Sequence, residues 1–379
     1  MNSTATNAAM ATLLLLTASR IGGVRTQAKC PAESCVPLRE CPALACPLHA
    51  RAPHSRANAE RAICGSVGAY LKVCCPTNEA TYQDNNDNTI MGRIRSLAEI
   101  CEKRSMPMSS LLPETCGQHT GVPRIVGGRE ASLGQYPWMV ALHYKHTKNG
   151  ERRVLCGGSL ISGRYVLTAA HCVASSYLKK WIMTHVVLGD WRLSTDPDCS
   201  DNVCAPERIS VLVEEVVVHP GFNTPTVLNN DIALIRLRSE VNFNQYIQPI
   251  CLPPTNFGRS EVSVNQTVLA VGWGHTRTGD GSDVLRVALL NIANPFVCKR
   301  VFPSNFHLNG VQMCIGGGPD DTCSGDSGGP VMNLNKEQRY YVLAVTSFGT
   351  QEGCGISGRP AVYTSVAHFN DWIRQSMKY

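Results

Sequence analysis

Eighteen cysteines in 379 residues constrain this chain more than any other feature. That density is hard to keep as free thiols, and the even number allows every thiol a partner. The chain therefore reads as a disulfide framework made in an oxidising compartment. Zinc is the competing use of clustered cysteines, and the Cys74–Cys75 pair invites it. No Cys-x-x-Cys pair recurs with a matching second pair or a His-x-x-x-His, the spacing that a structural zinc site needs. The rest of the composition is ordinary for a folded globular chain, with 43% hydrophobic and 17% charged residues. A net charge of +6 that is not gathered into a long basic run argues against nucleic acid as a partner.

Residues 8–19, AAMATLLLLTAS, are apolar but too short to span a bilayer. They suit a signal peptide over 1–28, removed after Ala28, although Arg20 and Arg25 separate the run from that site and cleavage nearer Ser19 is the alternative. No other stretch approaches the length of a membrane helix, so a secreted, extracellular protein with no membrane partner is expected.

Three zones follow. Residues 29–76 hold seven cysteines and too few apolar side chains for a core, so this module must be stapled to fold. Residues 77–124 are polar and irregular apart from a short helical patch at IRSLAEICEK, and read as a linker. From 125 to 379 the pattern changes to short β-rich runs at regular spacing, such as WMVALHY, DIALIRL, TVLAVGWG and YYVLAVTSFG, separated by Gly, Pro and Asn turns. That pattern predicts an all-β sandwich or barrel. Only the end reads as a helix, with Val366, Phe369, Trp372, Ile373 and Met377 on one face.

Three short stretches carry chemistry. GDSGGP at 325–330 surrounds Ser327 with glycines, so a tight turn can expose its hydroxyl and aim free backbone N–H groups at one point, as a nucleophile and the oxyanion it creates require. LTAAHC at 167–172 ends an apolar run on His171, a candidate base. NNDIALIRL at 229–237 puts Asp231 immediately before a strongly apolar strand, where an unpartnered carboxylate is costly to desolvate. Each alone is compatible with a structural turn. Together they supply a nucleophile, a base and an orienting acid.

Through IVGG, LTAAHC, DIAL, GWG and GDSGGP, residues 125–379 resemble the trypsin-like serine proteases of chymotrypsin fold along their whole length. The resemblance implies two packed antiparallel β-barrels with a C-terminal helix. It implies Ser327 as nucleophile, His171 as general base, Asp231 as its orienting acid, and the N–H groups of Gly325 and Ser327 as the oxyanion hole. It also implies a zymogen cut after Arg124, whose new Ile125 α-amine pairs with Asp326 and orders the oxyanion hole and pocket. Specificity is implied to rest on Asp321 at the pocket floor, selecting Arg or Lys, with Ser347, Gly349 and Ala361 as further pocket positions. Ala361 departs from the glycine usual in trypsin-like enzymes, and its methyl narrows the slot near Asp321. Phe348 is a second departure.

By the same resemblance the protease part pairs Cys156–Cys172, Cys298–Cys314 and Cys323–Cys354, and Cys116–Cys251 ties the two chains together after cleavage. Cys199 and Cys204 are close enough to close a small loop. With Asp190, Asp196, Asp198 and Asp201 that loop offers oxygen ligands to calcium, though without a specific spacing; no metal or other cofactor is otherwise expected. The ending CG…CC of the first module resembles the clip domain of arthropod proteases, implying Cys30–Cys74, Cys35–Cys64 and Cys41–Cys75. The two left over, Cys46 and Cys101, are the economical ninth pair.

Two features remain outside the resemblance. Asn265-Gln-Thr is an acceptor for N-glycosylation in a secreted chain. KHTKNGERR at 145–153 places Lys145, Lys148, Arg152 and Arg153 around an Asn–Gly turn, either a solvated hairpin or an anion-binding exosite. The expected protein is a secreted clip-domain protease of an extracellular cascade, of melanisation or Toll-pathway type in haemolymph. Its expected partners are a protein substrate, a trypsin-like activating protease upstream, and a serpin-type inhibitor. A catalytically silent clip-domain binding protein on the same fold is the alternative.

Overall fold

A computed structural model describes residues 111–378 apart from 120–128, 259–260, 277–278, 280, 308 and 351, together with three short strands nearer the N-terminus. The chain divides into two compact units, Met1–Pro107 and Met108–Tyr379. In the first unit, β1 (Cys35–Pro37), β2 (Ile63–Val67) and β3 (Tyr70–Cys74) form an antiparallel sheet in the order β1-β3-β2. The backbone register sets Cys35 opposite Cys74 and Ile63 opposite Val73. The side-chain pairings expected for Cys30, Cys35, Cys41, Cys46, Cys64, Cys74, Cys75 and Cys101 lie outside the described residues, as do the helical patch, Arg124 and Ile125.

The second unit is all-β, with a chymotrypsin-like architecture. Its strands are β4 (Arg129–Glu130), β5 (Met139–His146), β6 (Arg152–Ser162), β7 (Tyr165–Thr168), β8 (Trp181–Leu188), β9 (Cys199–Ser200), β10 (Val203–Cys204), β11 (Ile209–Val218) and β12 (Ala233–Leu237) in the first half. The second half carries β13 (Thr267–Gly272), β14 (Arg286–Asn291), β15 (Gln312–Gly316), β16 (Pro330–Leu334), β17 (Tyr340–Phe348) and β18 (Pro360–Ser365). The first six-stranded sheet closes completely, in the order β11-β12-β7-β6-β5-β8 with β8 pairing back to β11. The second is a half-barrel. Seven strands run in the order β15-β18-β17-β16-β13-β14-β4, and its curl is completed only by the single bridge Ile292–Ile315. β14 bonds instead along its outer edge to β4, the strand that follows the IVGG segment.

Burial explains why the apolar runs became strands of this kind. β7 is buried along its whole length and β18 likewise, because each is a central strand covered on both faces. The two halves meet around Trp138, fully buried, whose indole N–H donates to Met332 Sδ at 3.0 Å. Tyr136 and Tyr340 pack their rings against Trp138. At the C-terminus a 3-10 turn over Ala367–Phe369 runs into helix Asn370–Ser376, with Val366, Phe369, Ile373 and Met377 buried on one face. Five disulfides staple this unit: Cys116–Cys251, Cys156–Cys172, Cys199–Cys204, Cys298–Cys314 and Cys323–Cys354.

Candidate active site

His171 sits in a 3-10 turn, Ala170–Cys172, just beyond the end of β7. Asp231 lies two residues before β12, which is hydrogen-bonded to β7, so neighbouring strands bring the two side chains together. The Asp231 carboxylate is wholly buried and accepts three donors. The His171 backbone N–H lies 2.9 Å from Oδ1, His171 Nδ1 lies 2.7 Å from Oδ2, and the Ser347 hydroxyl donates to Oδ2 at 2.5 Å. Thr364 donates to the Asp231 carbonyl at 2.9 Å. A carboxylate only accepts, so Nδ1 carries the proton and Nε2 presents a lone pair. Burial opposes a charge on His171, but the Asp231 charge and the Nδ1 hydrogen bond outweigh it and hold the imidazole pKa above its ordinary value.

Ser327 arrives from the second half of the unit, in the turn that leads into β16. Its carbonyl accepts from Gly157 N–H on β6 at 2.8 Å, and Gly328 N–H donates to Thr346 O at 2.9 Å. Gly328 has φ of 77°, and a Cβ there would lie 2.2 Å from Thr168 Oγ1 and 2.5 Å from Gly157 O. Only glycine lets the serine turn approach the strand that carries His171 so closely. Among the described residues, the N–H groups of Gly325 and Ser327 donate to no protein acceptor, which leaves them available to an oxyanion. The Ser327 hydroxyl makes no hydrogen bond to His171 among those residues, and Nε2 has Cys172 Sγ at 3.7 Å.

Two further carboxylates lie behind the serine. Asp326 accepts from Gly274 N–H and Cys323 N–H, each at 2.8 Å. Burial pushes its pKa up to about 6 against the pull of those two donors. A Cβ on Gly274 would lie 2.3 Å from its Oδ2, so glycine is what lets the carboxylate nestle there. Asp321 accepts from Thr322 N–H and Gly355 N–H at 2.9 Å, and burial likewise raises its pKa. Both acids line one cavity of about 580 Å³, with Gly272, Gly274 and Gly355 on its walls. Beside it, a Cβ built on Gly349 would stand 3.7 Å from the Ala361 methyl, so these two positions face each other across a narrow gap.

A family profile described as Trypsin matches residues 125–373. The chain belongs to the trypsin family of serine proteases. Its relatives carry the clip resemblance as well. It is 34% identical to phenoloxidase-activating factor 1 of Holotrichia diomphalia over 94% of this chain and 95% of that one. It is 37% identical to the CLIP domain-containing serine protease B10 of Anopheles gambiae, covering 81% and 80%. The crystal structure of the Drosophila Grass clip serine protease of the Toll pathway superposes with a TM-score of 0.59 at 29% identity, covering 86% and 87%. The protein is thus a trypsin-like serine endopeptidase of the clip-domain group.

The structure adds partners to two groups of residues singled out in the sequence. Ser347, read as a pocket residue, turns its hydroxyl onto Asp231 and is 5% exposed, so its side chain supports the acid of the triad. Nothing in VTSFG marks that role, because the partner lies 116 residues away. In the acidic loop read as a calcium candidate, two of the four carboxylates meet one arginine. Arg208 donates to Asp190 at 3.0 Å and pairs with Asp196 at 3.4 Å, while Asp198 accepts from the N–H groups of Trp191 and Arg192 and from the Thr195 hydroxyl. The Cys199–Cys204 disulfide closes the loop itself.

Proposed function

We propose that this protease is a secreted zymogen, switched on by a cut after Arg124, that cleaves after Arg or Lys in a protein of an extracellular cascade. The observation that carries the reading is Asp326. It is a carboxylate beside the nucleophile with two backbone N–H donors, it is in no ion pair among the described residues, and it lines a cavity of about 580 Å³. An amine of Ile125 entering that cavity supplies the missing charge, and a buried pair of this kind serves better as a switch than as a source of stability. The adjacent Asp321 has the same need, and an Arg or Lys side chain of the substrate answers it.

In the active form, Ser327 attacks the scissile carbonyl as His171 Nε2 takes its proton. Asp231 steadies the imidazolium, and the N–H groups of Gly325 and Ser327 hold the oxyanion; His171 then returns the proton to the leaving amine. Cys116–Cys251, helped by hydrogen bonds between Gly117 and both Pro249 and Tyr340, keeps the prosegment attached after the cut. An extracellular setting is supported by the five disulfides among the described residues. No helix among those residues is long and apolar enough to cross a membrane. Asn265 and Thr267 are both exposed and suit glycosylation. The names of phenoloxidase-activating factor 1 and of the Toll-pathway protease Grass support a cascade of melanisation or Toll type. A downstream pro-factor as substrate fits those names, Arg124 at the cut calls for a trypsin-like activator, and a serpin-type inhibitor completes the proposed set of partners.

The test is hydrolysis of matched Arg, Lys and Leu amides by the purified chain after a trypsin-like protease has cut it and the new terminus has been sequenced. Hydrolysis of the Arg and Lys amides, not of the Leu amide, with IVGG as the new terminus is expected. Hydrolysis of the Leu amide alone would mean that Ala361 closes the slot to basic side chains.

A further inference from the structure

The hairpin joining β5 to β6 and the segment before β8 form one basic surface. Thr147 N–H donates to Lys180 O at 2.8 Å, the His146 ring meets the Trp181 ring edge-on at 5.0 Å, and the Arg153 guanidinium lies over that indole at 5.8 Å. These contacts bring Lys145, Lys148, Arg152 and Arg153 from the hairpin beside Lys179 and Lys180, all six exposed. Glu151 is the one carboxylate in the two segments, and its pairing with Arg153 neutralises a single charge.

The position of this surface relative to the nucleophile gives it a function. β6 runs from Arg152 to Gly157, whose N–H holds the Ser327 carbonyl, so Arg153 lies four strand residues, about 13 Å, from that contact. Lys179 and Lys180 follow the short helix Ser175–Leu178, in which the Tyr177 ring is 6.4 Å from the His171 ring. Asp321 belongs to the second half of the unit, between β15 and β16, whereas the hairpin belongs to the first. A substrate with its basic side chain in the Asp321 pocket therefore sends the residues after the cut towards the hairpin. An extended peptide covers about 13 Å in four residues, which matches the distance along β6.

We propose that this surface binds an acidic stretch of the protein substrate, centred about four to six residues after the scissile bond. It rests on the protease reading above and adds a second specificity determinant, remote from the pocket. The chain's own prosegment, from Lys29 to Arg124, holds no run of acidic residues to cover the surface, so the partner comes from another molecule. Acidic side chains there gain from charge complementarity chiefly through faster encounter, an effect that salt screens.

The test uses the full chain after cleavage and two fluorogenic peptides. They are identical through the Arg at the cut, and carry Asp and Glu or Ser and Gly at the fourth to sixth positions beyond it. At low salt the acidic peptide is expected to be cut with a kcat/KM on the order of 10-fold higher, a preference that shrinks as NaCl rises. The triple variant Arg152→Glu, Lys179→Glu, Lys180→Glu is expected to abolish or reverse that preference and to leave hydrolysis of a short Arg amide unchanged. Equal cleavage of both peptides by the unaltered enzyme overturns the proposal, as does a preference that survives in the triple variant. Tight, salt-sensitive binding of heparin without any peptide preference would assign the surface to a polyanionic glycan instead. Failure to cut the short Arg amide at all would count against the protease reading itself and is read separately.

Discussion

His171 and Asp231 on one side of the cleft, and Asp326 and Asp321 on the other, solve the problem of a buried charge in opposite ways. Asp231 has three donors to its carboxylate and a hydroxyl on its own carbonyl, and one of those donors is the imidazole it orients. Asp326 and Asp321 have two backbone donors each and no ion pair among the described residues, and burial raises the pKa of both. The first pair is complete within the chain. In the proposed function, the second receives positive charge from outside the fold, Asp326 from the new terminus and Asp321 from the substrate. The comparison teaches that a buried acid can be satisfied by side chains of its own fold, as Asp231 is, or be left with backbone donors alone among the described residues, as Asp326 and Asp321 are.

The largest break comes from the finished side. Asp231→Asn removes the charge that supports the imidazolium and the acceptor that fixes its tautomer. About 10⁴-fold loss of kcat is the figure known for this change in the family's template, and a similar loss is expected here on an Arg amide. Binding of a cationic amidine to the Asp321 pocket should survive it. Asp326→Asn attacks the unfinished side. The chain should still be cut after Arg124 yet remain about 10³-fold less active, from loss of ordered oxyanion donors, and amidine binding should weaken with it. Stopped-flow hydrolysis and amidine titration on both variants separate the two halves of the comparison.

Ser347→Ala tests how complete the finished side is. Removing a hydrogen bond to a buried charge costs about 1.5–3 kcal/mol, so kcat/KM should fall roughly 10- to 100-fold. With one donor fewer, Asp231 pulls harder on the imidazolium, so the acid limb of the pH–rate profile should move to higher pH. The sign follows from His171. Its raised pKa keeps Nε2 protonated to higher pH, and activity is lost as pH falls through that value. The alkaline limb belongs to the other side. A terminal amine titrates near ~8 before pairing, so activity should fall above that range as the Ile125–Asp326 pair loses its proton. A profile flat to well above it counts against the pair. The smallest expected effect is Ala361→Gly. One methyl removed from the slot wall should change the Arg-to-Lys ratio of kcat/KM by about 10-fold, read from paired amide substrates.

Most of the catalytic half was legible because its elements are local. GDSGGP, LTAAHC and DIAL each announce a residue type together with the turn or strand end that presents it, and the β-rich runs between them mark the strands. What stayed hidden depends on partners distant in sequence. The contact of the Ser347 hydroxyl with Asp231 spans 116 residues, and that of Arg208 with Asp190 spans 18, so neither shows as a local motif. The second sheet's incomplete closure was hidden for the same reason. Pairing of β14 with β4 and the lone Ile292–Ile315 bridge are decided by which strands meet in space. The basic hairpin was visible as charges around a turn, but its union with Lys179 and Lys180 depends on the fold.

The most direct measurement compares one preparation before and after the cut, alongside an Arg124→Gln chain that cannot be cut there. Hydrolysis of an Arg amide and labelling of Ser327 by a phosphonate would be followed together. The account predicts that both appear only as the IVGG terminus does, and stay absent from the Arg124→Gln chain under the same treatment. Full hydrolysis and labelling by the uncut chain, or by Arg124→Gln, would contradict it.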